Sequence, residues 1–207
     1  MRRRAFSLLE VLVAMGIFAL VTTLLVGLIT MSGNWIRRTN ARQDSQQDLL
    51  VAANQIARSL AQAPASSVLL QYPSGTPATG DLILSFQTAQ DATGAYFEDP
   101  NTFEPSYQGY TVIYWDAGSR RLLQAFLPQP PTTTIAPANP AAVLAARNPA
   151  SDRALASEVD RFTALDPSDD SPTALVTNPF RFRLEVGQAK RDQVVSLEAV
   201  RNVRLYR

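Results

Sequence analysis

Cysteine and histidine are both missing from this chain, and lysine occurs once, at Lys190. Without thiols there is no disulfide and no thiolate nucleophile. Without imidazole there is no Ser-His-Asp triad and no ordinary zinc site. A disulfide-free chain suits either redox compartment. Basic charge is carried by arginine, which beside abundant alanine reads as GC-rich coding rather than a functional signal. An excess of one charge is lacking too: 19 basic residues against 18 acidic ones leave a net charge of +1. No global field therefore draws the protein to nucleic acid or anionic lipid. There is no phosphate-binding glycine loop and no nucleophile motif. What is present is apolar: 46 % of the 207 residues are hydrophobic, enough for one globular domain with a core and something extra.

The extra part is N-terminal. Arg2, Arg3 and Arg4 open the chain, and residues 11–36 carry no charge. The most apolar stretch, residues 11–31, matches the ~20 residues a helix needs to cross a bilayer. A secretory signal peptide would have a shorter apolar region of about 7–15 residues and a small-x-small cleavage site, which residues 30–33 supply poorly. A generic membrane anchor fits the length. Neither accounts for Glu10, because an ionised side chain at the bilayer centre costs at least ~2.5–3.5 kcal/mol. Its bland reading is an interfacial carboxylate favoured by a positive helix N-terminus.

The run Arg4-Ala5-Phe6-Ser7-Leu8-Leu9-Glu10-Val11-Leu12-Val13-Ala14 resembles the class III signal sequence of type IV pilins and type II secretion pseudopilins. In that family a short basic leader and a small residue precede Phe-Thr/Ser-Leu-Leu/Ile-Glu and an apolar helix. The small residue is usually glycine; here it is Ala5. The resemblance implies cleavage between Ala5 and Phe6 by a prepilin peptidase on the cytoplasmic side, then N-methylation of Phe6. Glu10 becomes the fifth residue of the mature chain, where the family carries its glutamate. It implies that Glu10 pairs with the amine of a neighbouring subunit's Phe6 and sets assembly register. It also implies other pilin or pseudopilin subunits and an inner-membrane assembly platform as partners. The span is then single-pass in the inner (cytoplasmic) membrane, with the N-terminus cytoplasmic and the bulk periplasmic or extracellular, in a filament after assembly. Charge alone leaves orientation tied, because Arg37, Arg38 and Arg42 follow the span.

Beyond Trp35 the chain turns polar but keeps helical period, with Leu49, Ala53, Ile56 and Leu60 in a stripe flanked by Leu50, Ala57 and Ala61. Pro64 ends the pattern. Residues 6–63 would span roughly 87 Å as one helix. The stripe is too short for a coiled coil and is expected to pack on the chain's own outer domain, the lollipop shape of the family. The expected division is a leader at 1–5, a transmembrane or filament-core helix at 6–31, its amphipathic continuation at 32–63, and a β-rich domain at 64–207.

In that domain, residues 81–86 read as a strand. Residues 110–115 and 122–127 flank a hairpin turn at Asp116-Ala117-Gly118-Ser119. Residues 179–186 alternate Phe180, Phe182, Leu184 and Val186 with Arg181, Arg183 and Glu185, a half-buried antiparallel strand, and residues 193–205 offer its partner. The expected fold is α+β, with one antiparallel sheet of four to seven strands lying on the helix. Six prolines in residues 128–150 predict an extended loop there. Asp166, Asp169 and Asp170 form an acidic loop. As a calcium site they are a weak candidate without EF-hand spacing, and a solvated turn is the better reading. Arg181, Arg183, Lys190, Arg191, Arg201, Arg204 and Arg207 fit the outer face of a sheet better than a DNA-binding patch. Tyr107, Tyr110, Tyr114 and Trp115 are at ordinary density for strands.

These readings point to a structural protein rather than an enzyme, with no cofactor. The function implied is a minor pilin or pseudopilin of a type IV pilus, competence or type II secretion system, its size resembling the larger minor subunits of the J or W type. The alternative is a single-span envelope protein whose outer domain binds a ligand or the cell wall. Losing residues 1–5 removes three of the 19 basic side chains. That leaves 16 against 18 acidic and a charge of −2, which argues further against nucleic acid as a partner.

Overall fold

The computed structural model describes residues 8–190 and 193–206. Helix α1 runs from Leu8 to Ala61. The chain divides into two compact units, Met1–Asp44 and Ser45–Arg207.

The second unit is α+β. Among the described residues it has eight strands in two antiparallel sheets, not one sheet as expected. The first sheet is a meander in chain order. Its strands are β1 (Leu69–Gln71), β2 (Ile83–Thr88), β3 (Tyr107–Asp116), β4 (Arg121–Thr132) and β5 (Arg153–Ala156). The second holds β6 (Val159–Leu165), β7 (Phe180–Lys190) and β8 (Gln193–Val203) in that order. The break falls where the chain turns sharply between β5 and β6, with Glu158 in the left-handed region at φ 58°.

The expected apolar stripe of α1 is buried, with Ala53, Ile56 and Leu60 at 0 % exposure. It shares one core with Leu84, Phe86, Ile113 and Leu122 of the first sheet and Phe162, Phe182 and Leu184 of the second. The alternation along β7 carries through, since Phe180, Phe182, Leu184 and Val186 are all buried. A smaller cluster on the other face of the first sheet joins Ile83, Val112, Tyr114 and Ala125 to Val143. Val143 belongs to α2 (Pro140–Ala146).

The sheets are tied by polar contacts as well. Trp115 Nε1 donates to the Val159 carbonyl at 2.9 Å, and Phe162 N donates to the Gly80 carbonyl at 2.7 Å. The Arg120 guanidinium at the β3–β4 turn pairs with Asp160 and, at 3.3 Å, with Glu158. It also donates to the Gly187 carbonyl at 2.9 Å.

The loop expected at residues 128–150 is not one loop. Pro128, Pro130 and Pro131 lie inside β4, and residues 140–146 form α2. β4 pairs with β5 only from Leu122 to Gln124. Beyond that point its outer edge has no strand partner among the described residues, and an edge is where a residue without an N–H is tolerated.

Candidate functional site

In the first unit, Glu10 sits in the first described turn of α1. The proposed scissile pair, Ala5 and Phe6, lies outside the described residues. From Leu8 to Arg37 the helix is long and apolar enough to cross a membrane, and none of its most apolar window is buried among the described residues. Leu9, Leu12, Ile17, Phe18, Leu24 and Ile29 are all more than half exposed. They point in every direction around the axis, so a medium as apolar as the helix itself must cover it.

Three threonine hydroxyls within this stretch are satisfied by the helix's own backbone. Thr22 Oγ1 donates to the Phe18 carbonyl and Thr23 Oγ1 to the Ala19 carbonyl, both at 2.8 Å. Thr30 Oγ1 donates to the Val26 carbonyl at 3.0 Å. In a medium without water such back-bonding hides hydroxyls that otherwise carry a desolvation cost. Trp35 marks the end of the apolar run and is 68 % exposed, an amphipathic ring of the kind enriched at a membrane–water boundary.

Residues 1–26 match the family described as the prokaryotic N-terminal methylation motif. The chain carries the prepilin-type signal of type IV pilins and pseudopilins. No curated protein and no solved structure matches the chain. The prepilin-type segment thus joins a basic start, an early carboxylate and an apolar helix.

The other candidate residues separate on inspection. Asp166, Asp169 and Asp170 do not converge as ligands. Asp166 accepts from Ser168 N at 2.8 Å, Asp169 from Ser171 N at 2.9 Å, and Asp170 pairs with Arg181. Among the described residues no three carboxylates group as a metal site would need. The C-terminal arginines do not form one patch either. Arg183 pairs with Glu198 at 2.7 Å, and Arg201 reaches the Asn54 side chain at 3.3 Å. Arg191 and Arg207 lie outside the described residues, and Lys190 closes β7.

A half-buried polar cluster surrounds Tyr114. Its hydroxyl donates to Asp152 at 2.6 Å and accepts from Arg147 Nη2 at 2.9 Å. Arg147 Nε also donates to Asp152 at 2.9 Å, and its guanidinium lies over the Tyr114 ring. Burial first, then the Asp152 carboxylate, pushes the Tyr114 phenol up to about 12. A phenol held protonated is a tie between β3 and the segment after α2, not a base for neutral pH.

Sequence reasoning missed a groove of about 950 Å³ in the second unit. Its walls come from α1 (Gln55, Arg58, Ser59, Gln62), the turn after β2 (Asp91 to Gly94), β4 (Gln124 to Pro128) and the stretch from Ala146 to Arg153. Four stretches so far apart in the chain leave no linear signal. Amide pairs brace it: Gln62 with Gln90 at 2.6 Å and Gln55 with Gln124 at 3.3 Å.

Proposed function

We propose that this chain is the precursor of a structural pilin or pseudopilin subunit. It enters the inner membrane through α1 with its N-terminus in the cytoplasm. A prepilin peptidase removes residues 1–5 after Ala5, Phe6 is N-methylated, and the mature subunit joins a type IV pilus, competence or type II secretion filament. The observation that carries this reading is the prepilin-type match over residues 1–26; the position of Glu10 early in an apolar helix supports it.

The physical role of Glu10 follows. Cleavage creates a positive amine at Phe6, which enters an apolar filament interior with the helix. A carboxylate from the adjoining subunit neutralises it there, and removing one partner of such a buried pair costs about 3–5 kcal/mol. Assembly is then stable only at the axial step that brings amine and carboxylate together. A chain of 207 residues with a second sheet supports the larger minor subunits, of the J or W type, over a major one.

Mass spectrometry of the native protein's N-terminus tests the processing. A methylated Phe6 is expected; an intact Met1, or cleavage near residue 30, would leave a single-span envelope protein instead. Glu10→Ala should keep membrane insertion and lose at least tenfold in filament incorporation, scored by fractionating sheared filaments from membranes. Normal incorporation of that variant would remove the register role.

A further inference from the structure

The turn between β2 and β3 is an arm of unusual chemistry. Residues 91–106 contain Asp91, Glu98, Asp99 and Glu104 and no basic residue. Bridges Gln90–Tyr96 and Glu98–Pro105 fold the arm into a small antiparallel meander. Its distal turn is closed by Asp99 N donating to the Glu104 carbonyl and Phe103 N to the Asp99 carbonyl, both at 2.8 Å. Phe103 at this turn adopts φ 58°, a strained conformation for a bulky residue. The residue is 77 % exposed, so the ring gains little burial from the described residues. Glu98 precedes this turn and Glu104 follows Phe103, and neither makes an ion pair among the described residues.

The groove is the complement of this tip. Its floor is Ala125, Phe126, Leu127 and Pro128, and its charged rim includes Arg58 and Arg153. Neither arginine makes an ion pair among the described residues. The one carboxylate at the rim, Asp91, already accepts from Thr93 N at 2.8 Å and Ala95 N at 3.0 Å. Two unpaired glutamates around an aromatic ring therefore face, in chemistry, two unpaired arginines around an aromatic floor.

The tip does not reach the groove of its own chain. The turn at residues 91–95 borders the groove, and the turn at residues 99–103 lies at the other end of the intervening strand, residues 96–98. We infer that the Phe103 tip docks in the groove of a second copy of this chain. Phe103 is the anchor, and Glu98 and Glu104 orient it against Arg58 and Arg153. Such a contact uses different surfaces on the two copies, so it propagates head to tail instead of closing a two-fold dimer. It stands independently of the N-terminal processing.

The absence of cysteine makes the test direct. Full-length chains carrying Ser59→Cys in the groove wall and Asn101→Cys in the tip are mixed in detergent and oxidised gently. The expected result is a mixed disulfide dimer at least fivefold above either chain alone, and a ladder when both changes sit on one chain. Phe103→Ala, or Glu98→Arg with Glu104→Arg on the tip chain, should reduce the mixed dimer to background. Arg58→Glu with Arg153→Glu on the groove chain should restore it for the charge-reversed tip. Absence of a mixed dimer, or one indifferent to Phe103 and to the charge reversals, overturns the inference. Phe6 is read by mass spectrometry in the same samples. Processed chains without cross-links count against this contact alone, and cross-links between unprocessed chains leave it standing.

Discussion

Single atoms set the tolerances of the outer domain. Gly187 lies in β7, and a Cβ placed on it would meet Asp160 Oδ2 at 1.7 Å. The carboxylate cannot swing aside freely, because Arg120 holds it and also bonds the Gly187 carbonyl. Gly187→Ala should therefore destabilise the fold by about 1–3 kcal/mol, the usual range for overpacking, as read from denaturant unfolding of the full chain. Adding Asp160→Ala should recover part of that loss by clearing the space while Glu158 still pairs with Arg120. At this scale the proposal for Glu10 comes from the sequence alone, because a carboxylate among apolar neighbours is a linear signal. The groove residues were not legible there. Gln55, Gln62, Gln90 and Gln124 are ordinary polar residues until folding pairs Gln55 with Gln124 and Gln62 with Gln90.

Among the elements, α1 is one helix in two solvents. Its Ile56 is fully buried and its Ile17 is 60 % exposed. Ile56→Ala should cost about 2–5 kcal/mol of outer-domain stability. Ile17→Ala should change it by under about 0.5 kcal/mol, measured in the same detergent by urea titration. Equal losses would mean that the stripe does not anchor the core. Elements with a strong period were readable: the Leu49–Leu60 stripe and the Phe180, Phe182, Leu184, Val186 alternation both found their cores. The segment from residue 128 to 150 was not, because prolines signal a loop unless the strand is known to lie at an edge. A finer signal was present. Asn139 accepts from Ala141 N at 2.9 Å, and Pro140 follows it as the first helical residue, a recognisable helix start. The split into two sheets was hidden for a different reason. It turns on a left-handed backbone at Glu158, where a glutamate gives no hint of it.

For the whole molecule, charge is the property that maturation would alter most. The intact chain carries +1 and a calculated isoelectric point near 8.1. Loss of three arginines with residues 1–5 reverses the sign. Protein recovered from sheared filaments should focus on the acidic side of neutrality, and precursor from a peptidase-deficient cell on the basic side. Identical positions would mean that residues 1–5 stay attached. The amino-acid pattern also carried the α+β class, since a single long apolar-then-amphipathic helix followed by alternating segments permits few other arrangements.

Under the function proposed above, the threonines of the apolar helix have a consequence for how the subunit would change surroundings. Thr22, Thr23 and Thr30 keep their hydrogens on their own backbone. These hydroxyls therefore have no bond to surrender when acyl chains are exchanged for side chains of other proteins. In solubility terms, the segment partitions almost indifferently between two oils. The direction of that exchange then rests with the few groups that do discriminate, and in this helix the foremost is the carboxylate near its start.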